Sequence, residues 1–408
     1  VIREIDEYNK QVAKSLGCKL FYLTTTPSRE LTVLPCSPSP SVLTNVLLEE
    51  VLCFYKEEIE HCKKAIAKNK EDIAKVCNAV AEWQINHQSE VKHHPLDWTN
   101  GALYRGMTEW GKVSGNKFCY DFVYAIGEKY NWNMWDNVYH ADDICVGQAF
   151  IEMYRKLNDK RMLQPVLERA YYVASHPSKA PLQKTDAIGT SERWSWSDAL
   201  FMAPPVYAAL YTITGDRIYL DYLDTEYKAC VDSLYDKEEH LFYRDNKRIP
   251  LREKNGSKQF WGRGNGWVFG GLPLIIDNLP FDCPSRNYYV RLFVEMAEAV
   301  RATQCRDGDW RTSLLDPDSY NMPENSCSAF MCYGIAWGIR NGYLFKRTYK
   351  PVLEKGWESL VKAVHADGKL GYIQPVGAAP RAAGFDATDV YGVGAFLLAG
   401  SELYKSVK

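Results

Sequence analysis

The residues best suited to chemistry in this chain are a few acids set among tryptophans. Asp198 follows Trp194 and Trp196 and precedes the apolar run Ala199-Leu200-Phe201-Met202. A carboxyl packed against indoles is desolvated, which favours its neutral form and equips it to give and retake a proton. The plainer alternative is a first-turn acid that only complements a helix dipole. Asp142 and Asp143 stand together after Tyr139-His140. One can cap the following helix while the other faces a pocket, and Asp143, four residues before Gly147, is the expected pocket acid. A basic counterpart lies in Phe260-Trp261-Gly262-Arg263-Gly264-Asn265-Gly266-Trp267. The planar guanidinium of Arg263 can take a carboxylate bidentately, Trp261 and Trp267 can wall a ligand, and Gly264 and Gly266 can let the backbone approach it. The alternative is a turn whose tryptophans fill the core.

Bulk properties narrow the classes. At 408 residues, 46% apolar and 25% charged, the chain is ordinary globular material. Its 49 basic and 51 acidic residues leave a net charge of -2, so no global field recruits nucleic acid or an anionic membrane. No apolar run reaches the roughly 20 residues of a membrane span. The start at Val1 shows no charged-then-apolar leader, although one already removed would leave the same start. The 12 Cys form no CxxC pair and are expected as buried thiols; the 8 His form no HExxH motif. Neither a metal nor a cofactor is expected, and the sequence has no nucleophile elbow and no phosphate loop. The GxGxG spacing, with no strand before it, is not a dinucleotide fingerprint. The 12 Trp and 27 Tyr are notable, because aromatic rings with one polar edge serve carbohydrate surfaces as well as cores.

Positioning these groups requires a scaffold, and the chain supplies a recurring one. Residues 1 to 70 read as an irregular extension with a lead-in helix, including the Pro/Ser linker 35–40, and residues 71 to 408 as one domain. From Leu47 to Trp83 the apolar spacing predicts one long helix or two end to end. Thereafter a polar or aromatic opening followed by small and apolar residues recurs at Asp97-Gly101, Asp142-Asp143, Trp196-Asp198, Trp261-Trp267, Glu324-Asn325 and Thr388-Asp389. The intervals, roughly 45 to 65 residues, suit a helical hairpin with loops. Amphipathic stretches such as 217–235 lie between. Nearly uncharged helices alternating with amphipathic ones predict an all-α, (α/α)6 barrel with an inner and an outer ring. If the inner helices run the same way, their polar openings meet at one rim, which is the expected pocket. Short hairpins are expected at LFYRDN and YIQPV.

The order of DWTNGALYRGM (97–107), HADDICVGQAFIEMY (140–154), WSDALFMAPP (196–205) and WGRGNGWV (261–268) resembles the unsaturated rhamnogalacturonyl hydrolases of glycoside hydrolase family 105 over about residues 75 to 405. The resemblance implies an (α/α)6 barrel, no cofactor, and an oligosaccharide substrate ending in a 4,5-unsaturated galacturonyl sugar linked to rhamnose. It also implies a bacterial setting, cytoplasmic or periplasmic. By the same match Asp198 protonates C4 of the vinyl ether and assists water at C5, after which the hemiketal opens and frees the neighbouring sugar. Asp143 or Asp142 would hold sugar or water, Arg263 with Trp261 and Trp267 would bind the uronate, and Trp98 and Trp196 complete the expected binding set. One departure concerns specificity. Family members often carry a His after the LFY stretch, whereas here Leu241-Phe242-Tyr243 runs into Arg244-Asp245, and an Arg there suits an additional carboxylate or a different linkage. The alternatives are an unsaturated glucuronyl hydrolase of glycosaminoglycan fragments and a non-catalytic glycan-binding toroid.

Overall fold

The computed structural model describes residues 68–183 and 191–407. The expected linker at 35–40 and most of the lead-in helix lie outside them. What is described of that helix is α1 (Lys70–Asn86), which begins where Asn69 accepts a hydrogen bond from the amide of Asp72. Such an N-cap satisfies a donor that the first helical turn leaves unpaired.

Each expected opening starts a helix. The inner helices are α2 (Trp98–Ser114), α4 (Gly147–Leu157), the broken pair α6 (Ala199–Met202) and α7 (Pro204–Thr214), α9 (Gly262–Asn278), α11 (Asn325–Arg340) and α13 (Val390–Ser406). Between them run the outer helices α3 (Lys117–Lys129), α5 (Gln164–Ser175), α8 (Arg217–Leu234), α10 (Arg286–Ala302) and α12 (Lys346–Lys362), with α1 as the sixth. Helix α2 packs on α4, α4 on α7, α7 on α9, α9 on α11, α11 on α13, and α13 returns to α2, so the inner ring closes. This is the (α/α)6 toroid that the repeat predicts. Closure needs small residues: a Cβ on Gly106 would collide with the backbone of Gly394, and one on Gly394 with that of Ala102. The two helices touch backbone to backbone, which only glycine permits.

The inner helices are buried almost throughout, whereas the outer ones alternate buried and exposed positions. That contrast is the physical origin of the two sequence patterns, since a helix walled on all sides is apolar all round and one at the surface shows an apolar stripe. The LFY hairpin forms as β1 (Tyr235–Asp236) against β2 (Leu241–Phe242). YIQPV makes no ladder; Tyr372 and Ile373 instead donate to Gly384 O and Ala387 O. Each described cysteine is a free thiol, and all but Cys305 are buried. No described helix is long and apolar enough to cross a membrane.

Candidate active site

The openings of the inner helices meet at one end. Trp98 of α2 lies edge-on to Trp267 of α9, with ring centroids 5.6 Å apart, and 5.2 Å from Tyr391 of α13. His140 lies 5.1 Å from the Trp196 ring. Asp97 and Asp198 are each close enough to Asp142 to act on its charge.

Asp198 is buried at 7% exposure and occupies the N-cap position of α6, yet its carboxylate caps no amide. Its Oδ2 accepts from Ser197 Oγ at 3.2 Å and lies 3.4 Å from Arg244 Nε. The segment is held flat by its neighbour. Trp196 bridges Asp245 in antiparallel fashion, and the Ser197 amide donates to Arg244 O at 2.8 Å. Arg244 also donates to Asp245 Oδ2 at 2.8 Å, so one guanidinium spans two carboxylates. Pro204 and Pro205 then end the first inner turn, because a proline ring cannot continue the helical ladder. Asp198 is thereby left on a four-residue stub facing the acids.

The adjacent pair divides in a way opposite to expectation. Asp142–Ile144 form a single 3₁₀ turn ahead of α4, and neither acid caps that helix. Asp143 Oδ2 accepts from the amide of Asn137 at 2.7 Å and from its side chain at 3.0 Å, and its side chain is 5% exposed. It organises the loop. Asp142 keeps 20% of its side chain exposed, while its Oδ1 is buried without a hydrogen-bond partner. Burial first, and then the charge of Asp198, push the Asp142 carboxyl up to about 8, although Arg244 pulls the other way. Of the two, Asp142 is the acid whose carboxyl feels the charge of Asp198. The sequence could not separate them, since the choice depends on where Asn137 falls.

The FWGRGNGW stretch opens helix α9, as the repeat predicts, rather than making the turn of the alternative reading. Its glycines serve packing: a Cβ on Gly264 would press on Ser197 Oγ at 3.1 Å, and one on Gly266 on Cys327 Cα at 3.3 Å. Arg263 is fully buried between Trp261 and Tyr391, its carbon 4.5 and 4.8 Å from their ring centres. It donates to Gln374 O, to Tyr391 Oη at 2.6 Å and to Pro375 O at 3.1 Å. Only Nε lacks a partner, and it too is buried. Arg263 is thus a strut between α9, α13 and the 374–375 segment rather than an open carboxylate anchor, and the guanidinium beside the acids is Arg244. Of the four expected tryptophans, Trp196, Trp261 and Trp267 are buried and Trp98 is half-buried.

Sequence reading missed several members. Gln374 Oε1 accepts from Trp261 Nε1 at 3.0 Å and Thr312 Oγ1 at 2.7 Å, and its amide donates to Glu324 Oε1. His93 holds Asp389 at 3.0 Å, a bond that raises the histidine above its ordinary value. His140 lies 3.7 Å from both Asp142 and Asp143, and its place two residues ahead of the acid pair was a usable signal. Away from the rim, Cys305, Asp307 and Asp309 bring ligand atoms within 4.8 Å of one another, but Arg311 already bridges the two carboxylates.

A helical toroid with acids and tryptophans at one rim suits carbohydrate chemistry, and the family decides which. The profile of Glycosyl Hydrolase Family 88 matches residues 75–407, and the chain belongs to that family. Two relatives carry the name unsaturated 3S-rhamnoglycuronyl hydrolase. The one from Formosa agariphila is 39% identical over 81% of this chain and 90% of its own, and the one from an Alteromonas species is 35% identical over 81% and 85%. A solved structure of a family 88 glycosyl hydrolase from Bacteroides vulgatus is 30% identical, with a TM-score of 0.73 over 83% of this chain and 99% of that one. The protein is a glycosidase of the unsaturated uronyl hydrolase type.

Proposed function

We propose that this enzyme hydrates the C4=C5 bond of a terminal unsaturated uronate linked to rhamnose, with Asp198 and Asp142 as its pair of acids. The observation that carries the reading is the pair itself: Asp142, whose carboxyl is pushed up to about 8, within reach of the charge of Asp198, which accepts from Ser197 Oγ and pairs with Arg244 at 3.4 Å. Protonation of C4 leaves positive charge at C5, shared by the ring oxygen. Water then bonds to C5 and returns its proton to the pair, so the carboxyls end as they began. The resulting C5 hemiketal opens by breaking the ring C5–O bond, leaving a C5 ketone and a C1 hemiacetal that collapses to an aldehyde, breaks its C1–O bond and releases the neighbouring sugar as an alcohol. Water is the only reagent consumed. Asp198 is assigned the proton transfer at C4, Asp142 the storage of the proton, and Arg244 the charge balance.

The rhamnogalacturonan fragments expected from sequence supply one such substrate. The relatives' names favour a second reading, in which the substrate is the unsaturated rhamnoglycuronyl unit that those names mark 3S. Both readings predict loss of the ultraviolet absorbance of the C4=C5 bond. The test is to follow that signal with each disaccharide; a native protein that leaves it unchanged on both, and on an unsaturated glucuronyl disaccharide, is not this enzyme.

A further inference from the structure

The face of the toroid away from the acids carries two bare phenylalanines. The inner helices open at the acid rim, so their C-terminal ends and the loops that follow lie at the opposite face. Phe281 follows α9 and is 89% exposed; Phe345 follows α11 and is 83% exposed. Single exposed apolar residues are ordinary, but these two belong to one patch. Helices α9 and α11 pack on each other, and Arg286 at the start of α10 ties their loops together. Its guanidinium carbon lies 4.4 Å from the Phe281 ring centre, and its Nη1 donates to Tyr343 Oη at 2.8 Å, two residues ahead of Phe345. Both loops are fixed: the Cys283 amide donates to Pro280 O at 3.0 Å, and the Tyr343 amide to Gly338 O at 2.9 Å. A surface already ordered loses little freedom when it is covered.

Local preferences are broken here in a way that folding does not require. Phe345 occupies the N-cap of α12, where Ser, Thr, Asp or Asn would satisfy an amide, and its side chain caps nothing. Lys346 and Arg347 then open the helix, cations at the end whose dipole favours acids. The other loop carries Asp282 directly after Phe281. All three charged residues are exposed, and among the described residues none of them has an ion-pair partner. One loop thus offers a phenylalanine with an acid, and the other a phenylalanine with two bases.

We propose that this face binds a second copy of the chain about a two-fold axis, with the Phe281–Asp282 loop of each copy against Phe345, Lys346 and Arg347 of the other. A two-fold axis lays the patch on itself in reverse, so acid meets base twice and the phenylalanines are covered twice. One phenylalanine buries about 150 Å² or more, so two supply roughly a third of the about 800 Å² that each side of a stable interface covers. The partner's Asp282 also brings an acid to the start of α12, the group that helix lacks. The acid rim stays open, because it lies at the other end of the ring. The proposal is independent of the hydrolase reading.

The test is sedimentation velocity of the full chain over a concentration series. The native protein is expected to move to twice the 46.7 kDa of one chain as concentration rises. The double variant Phe281→Ser, Phe345→Ser, folded by circular dichroism, should raise the dissociation constant by on the order of a hundred-fold. The charges are tested by exchange. Asp282→Lys alone, and the pair Lys346→Glu, Arg347→Glu alone, should each be monomeric, because either change sets like charges opposite one another. Mixed in equal amounts, the two variants should form a heterodimer, in which both contacts again set acid against base. Residues that only stabilise their own chain would show no such recovery. A native chain that is monomeric at every concentration overturns the proposal, whatever else the face binds. A dimer that survives the double phenylalanine substitution places the interface elsewhere and overturns it too. A mixture of the charge variants that stays monomeric overturns the two-fold pairing.

Discussion

The toroid buries charge at both ends, with opposite results. Near the C-terminal ends of the inner helices Glu109 meets Arg105 at 2.9 Å and Lys405 at 2.7 Å, and Glu402 meets Lys405 at 2.7 Å and Arg340 at 2.6 Å. Burial alone would raise Glu109, but Arg105, Lys405 and Lys112 more than offset it, and the carboxyl is held well below the usual range. At the other end Asp142, Asp198 and Asp97 share the neighbourhood of Arg244, itself divided between Asp198 and Asp245. There burial prevails, and Asp142 keeps its proton to about pH 8. Cations matched to acids make a brace; acids in excess of cations make a proton store.

Substitutions that isolate each end should give effects of different kinds. Asp198→Asn removes the group assigned to C4, and kcat should fall by about a thousand-fold with the fold retained, read by the ultraviolet signal and circular dichroism. Glu109→Gln leaves Arg105 and Lys405 facing a neutral amide; breaking such a buried pair costs about 3 to 5 kcal/mol, so the melting temperature at pH 7 should drop while kcat of the folded enzyme stays. The loss should shrink on acidification, because a carboxyl held low in the folded state contributes stability above its unfolded value and loses that contribution as pH falls through the folded one.

Asp142→Asn should have the reverse sign. Asparagine resembles the neutral acid but cannot pass a proton, so kcat should fall by about a hundred-fold. A carboxyl raised in the folded state penalises folding as pH climbs from about 4 toward the folded value, and the variant escapes that penalty. Its melting temperature should exceed that of the native chain at pH 8 and match it below about pH 4. If Asp142→Asn loses no activity, Asp142 is a bystander and the comparison fails. The smallest effect concerns Arg244, whose charge holds Asp142 down. The native alkaline limb of kcat against pH should lie near 8, and Arg244→Gln should move it higher.

The fold was legible because it follows from periodicity. Helices walled on every side are apolar and small-residue-rich, those on the outside are amphipathic, and six alternations specify a ring. The helix opening at Asp198 was legible as well, from the aromatic and polar residues before an apolar run. What no local pattern contained were the distances across the ring. Whether Asn137 would fold back on Asp143 and free Asp142, whether Arg263 would be taken by Gln374 and Pro375, and whether Gly264 and Gly266 would face a ligand or a neighbouring helix were decided by contacts between residues far apart in the chain. The same holds for Arg244. Its identity marked a departure, but only the antiparallel bridge between Trp196 and Asp245 sets its guanidinium 3.4 Å from Asp198. Sequence determines which groups can titrate; tertiary packing sets the burial and neighbouring charge that decide which of them holds the proton.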